Sequence, residues 1–275
     1  MNTDSLYTLW TIDVTLMLLS FVVQLWTRRA GIVDAAWSFA IASGALYVAI
    51  IHQDGDLWTR IFIGAACSIW FARLGWHLLS RYQKETHEDG RYARMRAASG
   101  RFAIPVFMLF FLFQAVIALL FTLPMWILTQ IPQSDWSALH PLVLLVALLL
   151  MVVAFWGETT ADRQLAAFRA KRSNRGKTLR TGLWAYSRHP NYFFEWLHWF
   201  AYPLIGFDLA LHGMDHSSLS VWVYALWLYP VLMFVFLYFV TGIPYTEQQA
   251  LSSRGDDYRR YQADTPLFFP RKPRS

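Results

Sequence analysis

One cysteine in 275 residues, Cys67, excludes an internal disulfide and a thiolate-built metal centre. Charge is scarce as well: Asp, Glu, Lys and Arg make up 15% of the chain, against 56% hydrophobic and 17% aromatic residues, with a mean hydropathy of +0.31. A soluble domain carries about 25% charged residues, so this composition excludes an ordinary water-facing surface. Histidine boxes of the H-x-x-H-H type are missing, which argues against a di-iron membrane desaturase. G-x-G-x-x-G and G-x-x-x-x-G-K-[ST] loops are missing too, so a bound nucleotide would not be held by a Rossmann or P-loop device. The opening MNTDSLYTLW has no basic n-region and Asp13 interrupts the apolar run behind it, unlike a cleaved signal peptide. With no linker, repeat or low-complexity tract, the chain reads as one membrane-embedded domain, 1–275.

What is present is a series of apolar stretches near the roughly 20 residues that a bilayer-spanning helix needs. Seven are expected, at about 6–26, 32–51, 59–80, 103–129, 139–157, 191–207 and 220–242, the sixth being short. The fold class is therefore an all-α integral membrane bundle of about seven transmembrane helices. Basic residues supply the orientation. Two follow the first span, six lie between the third and fourth, eight between the fifth and sixth, and six in the tail, which is 22 of the 24 Lys and Arg. The opposite loops carry Asp54, Asp56, Asp135, Asp208 and Asp215. The positive-inside rule then places the N-terminus outside and the C-terminus in the cytoplasm, under a basic cytoplasmic cap. Such a cap attracts anionic headgroups and anionic small molecules, so the pI of about 9.5 does not imply nucleic acid.

The densest polar segment is Gly182–Glu195, GLWAYSRHPNYFFE, where the basic stretch meets an apolar run. Pro190 suits the first turn of a helix because its missing N–H would be unpaired there. Ser187 or His189 is placed to cap that helix, and its N-terminus favours an anion. Asn191, Glu195 and His198 then share one stripe of an otherwise apolar helix. Membrane anchoring explains Arg188, Tyr192 and Trp196 but not that stripe. A polar ligand explains all of them.

Other polar groups have a bland and a sharp reading each. Arg73 and His77, four apart inside the third span, pair with an acid such as Asp34 or line a wet cavity. Asp34 and Trp37 open the second span, where an Asp is a favourable dipole partner. Glu158 and Asp162, ending the fifth span, pair with the basic loop or hold a ribose hydroxyl or amide. The helix of the fifth span continues through Asp162, Leu165, Phe168 and Arg169 before the Ser173–Lys177 turn. Asp13 sits near outer headgroups or faces other helices, and Gln114 suits an interhelical hydrogen bond. His212 and His216 are four apart in an outer loop and would be metal ligands only if helical; no metal centre is expected.

The pattern G-L-W-x-Y-S-R-H-P-N-Y-x-x-E at Gly182–Glu195 closely resembles the C-terminal domain of steroid 5α-reductase-like membrane proteins, and above all their bacterial branch. The likeness extends through GIVDAAW, RLGWHLLSR with EDGRY, D-x-Q-L-x-x-F-R and the closing GDDYRRYQADTPLFFP, about residues 30–270. The R-H-P-x-Y core alone also occurs in isoprenylcysteine and phospholipid methyltransferases and sterol reductases. The resemblance implies a seven-helix bundle of the inner (cytoplasmic) membrane that takes NADPH from the cytoplasmic side. Asp162, Arg169, Gly182, Tyr186, Asn191 and Glu195 fall on positions implied to contact the dinucleotide, and Lys177 falls where an arginine is expected. In the second and third spans the chain offers Asp34, Trp37 and Trp70 in place of the Glu/Tyr pair that binds a steroid carbonyl.

The function expected is an NAD(P)H-dependent reductase of an activated C=C bond in a lipophilic substrate drawn from the bilayer. Lys177, Arg180, Arg188 and Arg169 would neutralise phosphates, His189 and Tyr192 would complete the cofactor site, and Asn191 and Glu195 would position the nicotinamide end. Asp34, Trp37, Arg73 and His77 are the candidates at the substrate end. The alternative is an S-adenosylmethionine-dependent methyltransferase of a lipid or isoprenylcysteine-type group, although a cationic cofactor prefers carboxylates and aromatic faces to a basic cap. A third reading is a membrane assembly factor whose cap binds anionic lipid. Oligomeric state is left open by the sequence.

Overall fold

In a computed structural model of the chain, residues 3–53, 57–131, 140–212 and 218–272 are described. Asp54, Asp56, Asp135, Asp215 and His216 lie outside them, as does the His212 side chain. Among the described residues the regular structure is helical and no strand occurs. The helices are α1 (Asp4–Thr27), α2 (Ile32–Ile51), α3 (Leu57–Lys84), α4 (Gly90–Ser99), α5 (Ala103–Leu128), α6 (Pro141–Ala170), α7 (Pro190–His198), α8 (Ala201–His212), α9 (Ser218–Ala225), α10 (Leu228–Val235), α11 (Ile243–Arg254) and α12 (Asp256–Asp264). Six helical stretches are long and apolar enough to cross a membrane, which makes this a multi-pass membrane protein by length and composition. The expected sixth span, 191–207, is not one of the six. It is in two pieces, α7 and α8, because Pro203 in the first turn of α8 has no N–H for the carbonyl four residues back.

The faces of α6 show why such helices need an apolar surrounding. Leu142, Leu145, Leu149, Val152 and Trp156 recur at three- and four-residue spacing and are all exposed. Ala147, Met151, Ala154, Glu158, Ala161 and Asp162 are buried on the other side. The helix is apolar outward and small or polar inward, the reverse of a water-soluble helix. It starts with Pro141 in its first turn and the His140 ring accepting from Leu142 N at 3.2 Å. It runs unbroken past Arg169, as the periodicity through Phe168 predicts.

The chain divides into two compact units, Met1–Leu139 with Leu209–Val223, and His140–Asp208 with Tyr224–Ser275. In the first, α2 packs against α1, α3 and α5 through small residues. A Cβ on Gly64 would lie 2.3 Å from that of Ala49, so only glycine permits this approach of α2 and α3. Cys67 is buried, in keeping with a packing role. Asp13 is 1% exposed on the buried stripe of α1 with Leu9, Met17 and Phe21, so it faces other helices and not headgroups. Polar side chains gather at the two ends of this unit. At one end Trp126 Nε1 donates to Ser5 Oγ at 2.7 Å, and His52 lies between Ser5 and Thr129 at 3.1 and 2.8 Å. At the other, Arg96 joins Glu88 (2.7 Å) to Gln24 (3.2 Å).

In the second unit α6 and α7 pack antiparallel. A Cβ on Gly157 would meet the Phe194 ring at 2.5 Å, so the glycine sets their spacing. Trp184 Nε1 donates to Ala161 O at 3.0 Å and fastens the connecting segment onto α6. After α10 the helix widens over Phe236–Val240 into a π turn, with Thr241 N donating to Phe236 O at 2.8 Å.

Candidate functional site

The site starts from one contact between α6 and α7. Asn191 Nδ2 donates to Asp162 Oδ1 at 3.3 Å. One turn back along α6 is Glu158, and one turn on along α7 is Glu195; both are buried. Because the helices run in opposite directions, these two steps lead the same way into the unit. His198 is fully buried a further turn along α7, its Nδ1 donating to Glu195 O at 2.6 Å. The expected stripe is therefore real, and it faces a matching acidic stripe on α6. Past Asp162, the end of α6 and the turn that follows carry the exposed basic residues Arg163, Arg169, Lys171, Arg172, Arg175 and Lys177.

The motif before α7 is built differently from the capping expected of it. Pro190 opens the helix, but neither Ser187 nor His189 caps it with a side chain. Ser187 Oγ instead donates to Phe268 O (2.8 Å) and accepts from His189 N (3.1 Å). Arg188 N donates to Pro266 O at 2.9 Å, and Arg271 N to Tyr186 O at 2.9 Å. Tyr261, buried on α12, donates its hydroxyl to Trp184 O and Ser187 O. The C-terminal segment thus lies along the motif as a strap, bonded main chain to main chain.

Glu247 on α11 is the hub that sequence reasoning missed. Its carboxylate accepts from His189 Nε2 at 2.8 Å, Gln262 Nε2 at 2.6 Å and the Tyr258 hydroxyl, with Arg188 NH1 at 3.5 Å. Burial holds the His189 ring below its ordinary pKa, and Glu247 opposes this without reversing it. Burial pushes the Tyr258 and Tyr261 phenols up, so both stay protonated donors. The His189 ring stacks on Tyr192 at 5.4 Å, and the Tyr192 hydroxyl lies 3.3 Å from Thr246 Oγ1.

Several residues singled out for a ligand thus have structural work. Arg180 pairs with Asp257 at 3.1 Å. Gly182 sits at φ +64°, and a Cβ there would lie 2.5 Å from the Gln164 amide, whose oxygen accepts from Leu183 N at 3.0 Å. Tyr186 is exposed, and so are Arg169 and Lys177.

The substrate-end residues all lie in the other unit. Asp34 does not pair with Arg73. Its two oxygens accept from Arg91 NH2 and the Tyr92 hydroxyl, each at 2.7 Å, so GIVDAAW and EDGRY hold one another. Asp89 caps α4 through Arg91 N at 2.9 Å. Burial works to raise the Asp89 carboxyl, but the charge and hydrogen bonds of Arg91, with Arg81, hold it below the usual range. Trp37 is wedged edge-on between Phe71 and Phe121. The Arg73 guanidinium lies 5.7 Å from the Trp70 ring centroid. His77 is partly buried on α3. Among the described residues no group of three or more His, Cys, Asp or Glu is placed to hold a metal ion.

Residues 20–265 match the family model described as protein of unknown function (DUF1295). The chain belongs to the DUF1295 family. A relative is the uncharacterized protein C594.04c of Schizosaccharomyces pombe (strain 972 / ATCC 24843), 26% identical over 292 residues, covering 93% of this chain and 78% of the relative. No solved structure matches significantly. The DUF1295 match takes in both polar clusters, Asp34 with Arg91 and Tyr92 as well as Asp162 with Asn191, and it ends just before the strap.

Proposed function

We propose that the α6–α7 site binds a reduced nicotinamide dinucleotide and that this protein is a membrane NAD(P)H-dependent reductase of an activated C=C bond in a lipophilic substrate. The observation that carries the reading is the Asp162–Asn191 contact, with buried Glu158 and Glu195 one turn away and exposed basic residues past Asp162. An amide set by a carboxylate suits carboxamide and ribose hydroxyls; exposed Lys and Arg suit a chain of phosphates. The resemblance of Gly182–Glu195 to steroid 5α-reductase-like proteins supports the same assignment.

When bound, the dinucleotide supplies the hydride for the acceptor carbon. Asn191 donates Nδ2–H to Asp162, which leaves its amide oxygen to receive the ligand. Glu195 carries the hydrogen-bonding stripe one turn deeper, and the exteriors of α6 and α7 exclude water from it. Arg169 and Lys177, both exposed, take the phosphates. Arg188 is anchored by Glu247, and its buried Nε meets no acceptor among the described residues, so it has a donor to spare for an anion. Arg180, Gly182 and His189 shape the segment more than they touch the cofactor.

A second reading has its own observation. The buried part of the site is acidic, and a sulfonium cofactor favours carboxylates, so a lipid methyltransferase is the competitor. Titration of purified protein in detergent with NADPH, read by nicotinamide fluorescence, separates them. We expect saturable binding, weakened at least tenfold by Asn191→Ala. Binding of S-adenosylmethionine with none of NADPH would overturn the reductase reading.

A further inference from the structure

Unit 2 has a second concave feature, on the far side of α7 from the Asn191–Glu195 stripe. It is a cleft of about 330 Å³ walled by Phe234, Tyr238, Phe239, Phe268 and Phe269, with Arg271 at its edge. Small-molecule sites run from about 300 to 1,000 Å³, so this one takes a single chain or ring system and not a patch of bilayer. Its walls are set in advance. The π turn presents Tyr238 and Phe239 on one side. The strap forms the other, tied down by Arg188 N on Pro266 O and Arg271 N on Tyr186 O. Phe268 is buried as the floor, while Phe239 and Phe269 stand exposed.

Apolar walls alone would accept any lipid. The charge decides what the cleft fits. Among the described residues the Arg271 guanidinium makes no ion pair and the Tyr238 hydroxyl no hydrogen bond, so a cation and a phenol O–H stand open over the aromatic walls. A guanidinium matches the planar face of a carboxylate or phosphate.

We propose that this cleft binds one lipid anion, its hydrocarbon chain between Phe239 and Phe269 and its acidic head on Arg271 and Tyr238. This goes beyond the reductase reading and does not rest on it. The occupant braces the strap that holds the Arg188–His189 segment, so the lipid acts on the motif through Phe268 and Arg271 without touching it.

Native mass spectrometry of the full chain in non-ionic detergent tests the proposal, with oleate, oleyl alcohol and inorganic phosphate as probes. One oleate should bind per chain, oleyl alcohol at least tenfold more weakly, and millimolar phosphate should not displace oleate. Arg271→Gln should weaken oleate at least tenfold and leave the alcohol unchanged, while Phe239→Ala weakens both. Both side chains are exposed, so each variant should unfold at the wild-type temperature; one that does not is replaced by Arg271→Lys or Phe239→Leu in the same comparison. Oleate binding that is indifferent to Arg271→Gln, that fails to saturate at one, or that is absent overturns the proposal. Displacement by phosphate also overturns it, since the site would then belong to a free anion.

Discussion

Removing the Glu247 carboxylate should destabilise the protein strongly, because it is a buried acceptor shared by several donors. Glu247→Ala deletes acceptors for His189 (2.8 Å), Gln262 (2.6 Å) and the Tyr258 hydroxyl, and leaves Arg188 without its counter-charge. Hydrogen bonds to a charged group contribute about 1.5–3 kcal/mol each, but groups sharing one carboxylate do not add. Breaking a buried pair by removing one partner costs about 3–5 kcal/mol, and the Glu247 side chain is only 12% exposed, so that range applies. For a domain of about 150–250 residues this corresponds to a fall in Tm of about 6–20 °C. Glu247→Gln keeps one carbonyl oxygen but loses the charge, and should cost about 1.5–3 kcal/mol. Thermal unfolding in detergent, followed by tryptophan fluorescence, reads both. An alanine variant melting within about 2 °C of wild type would refute the hub, as would a glutamine variant no better than alanine.

Asp34→Asn should cost about 1–3 kcal/mol by releasing Arg91 and Tyr92, seen as a lower Tm, while NADPH affinity stays unchanged. Lost cofactor binding at full stability would contradict the structural role of Asp34. The His189 ring has a folded pKa below the ordinary value of about 6.5, so the unfolded chain binds more protons between the two values. Its contribution to stability is therefore complete above about pH 6.5 and is lost as pH falls through the folded value. Denaturant unfolding at a series of pH values should show that slope in wild type and a flatter one in His189→Gln; equal slopes would assign it to another group.

The first five spans were legible because each is a long apolar run that only a lipid-facing helix satisfies. The break between α7 and α8 turned on Pro203, whose effect is local and readable, but hydropathy smoothed over it. The Asn191–Glu195–His198 stripe followed from helical spacing, and the matching Glu158–Asp162 pair from the same rule. Their meeting needed the antiparallel packing around Gly157. Glu247 carried no signal in sequence, since a glutamate among glutamines near a span end reads as an interface residue. Its partners come from 58 residues before and 15 after. Asp34 and Arg91 were both within recognised motifs, yet the nearer cation Arg73 was the natural guess. Tertiary packing decided between them.

The strap has a consequence in time. Phe268 is 81 residues later in the chain than Ser187, whose hydroxyl it receives. At synthesis rates of about 5–20 residues per second, the arginine–histidine–proline segment emerges roughly 4–16 s before the residues that clasp it. Through that interval α7 can already have formed against α6 while the segment before it is unfastened. A nascent chain stalled short of the strap should expose Arg188 to protease, and one extended past the strap should shield it, so the order of synthesis leaves this clasp to be made late.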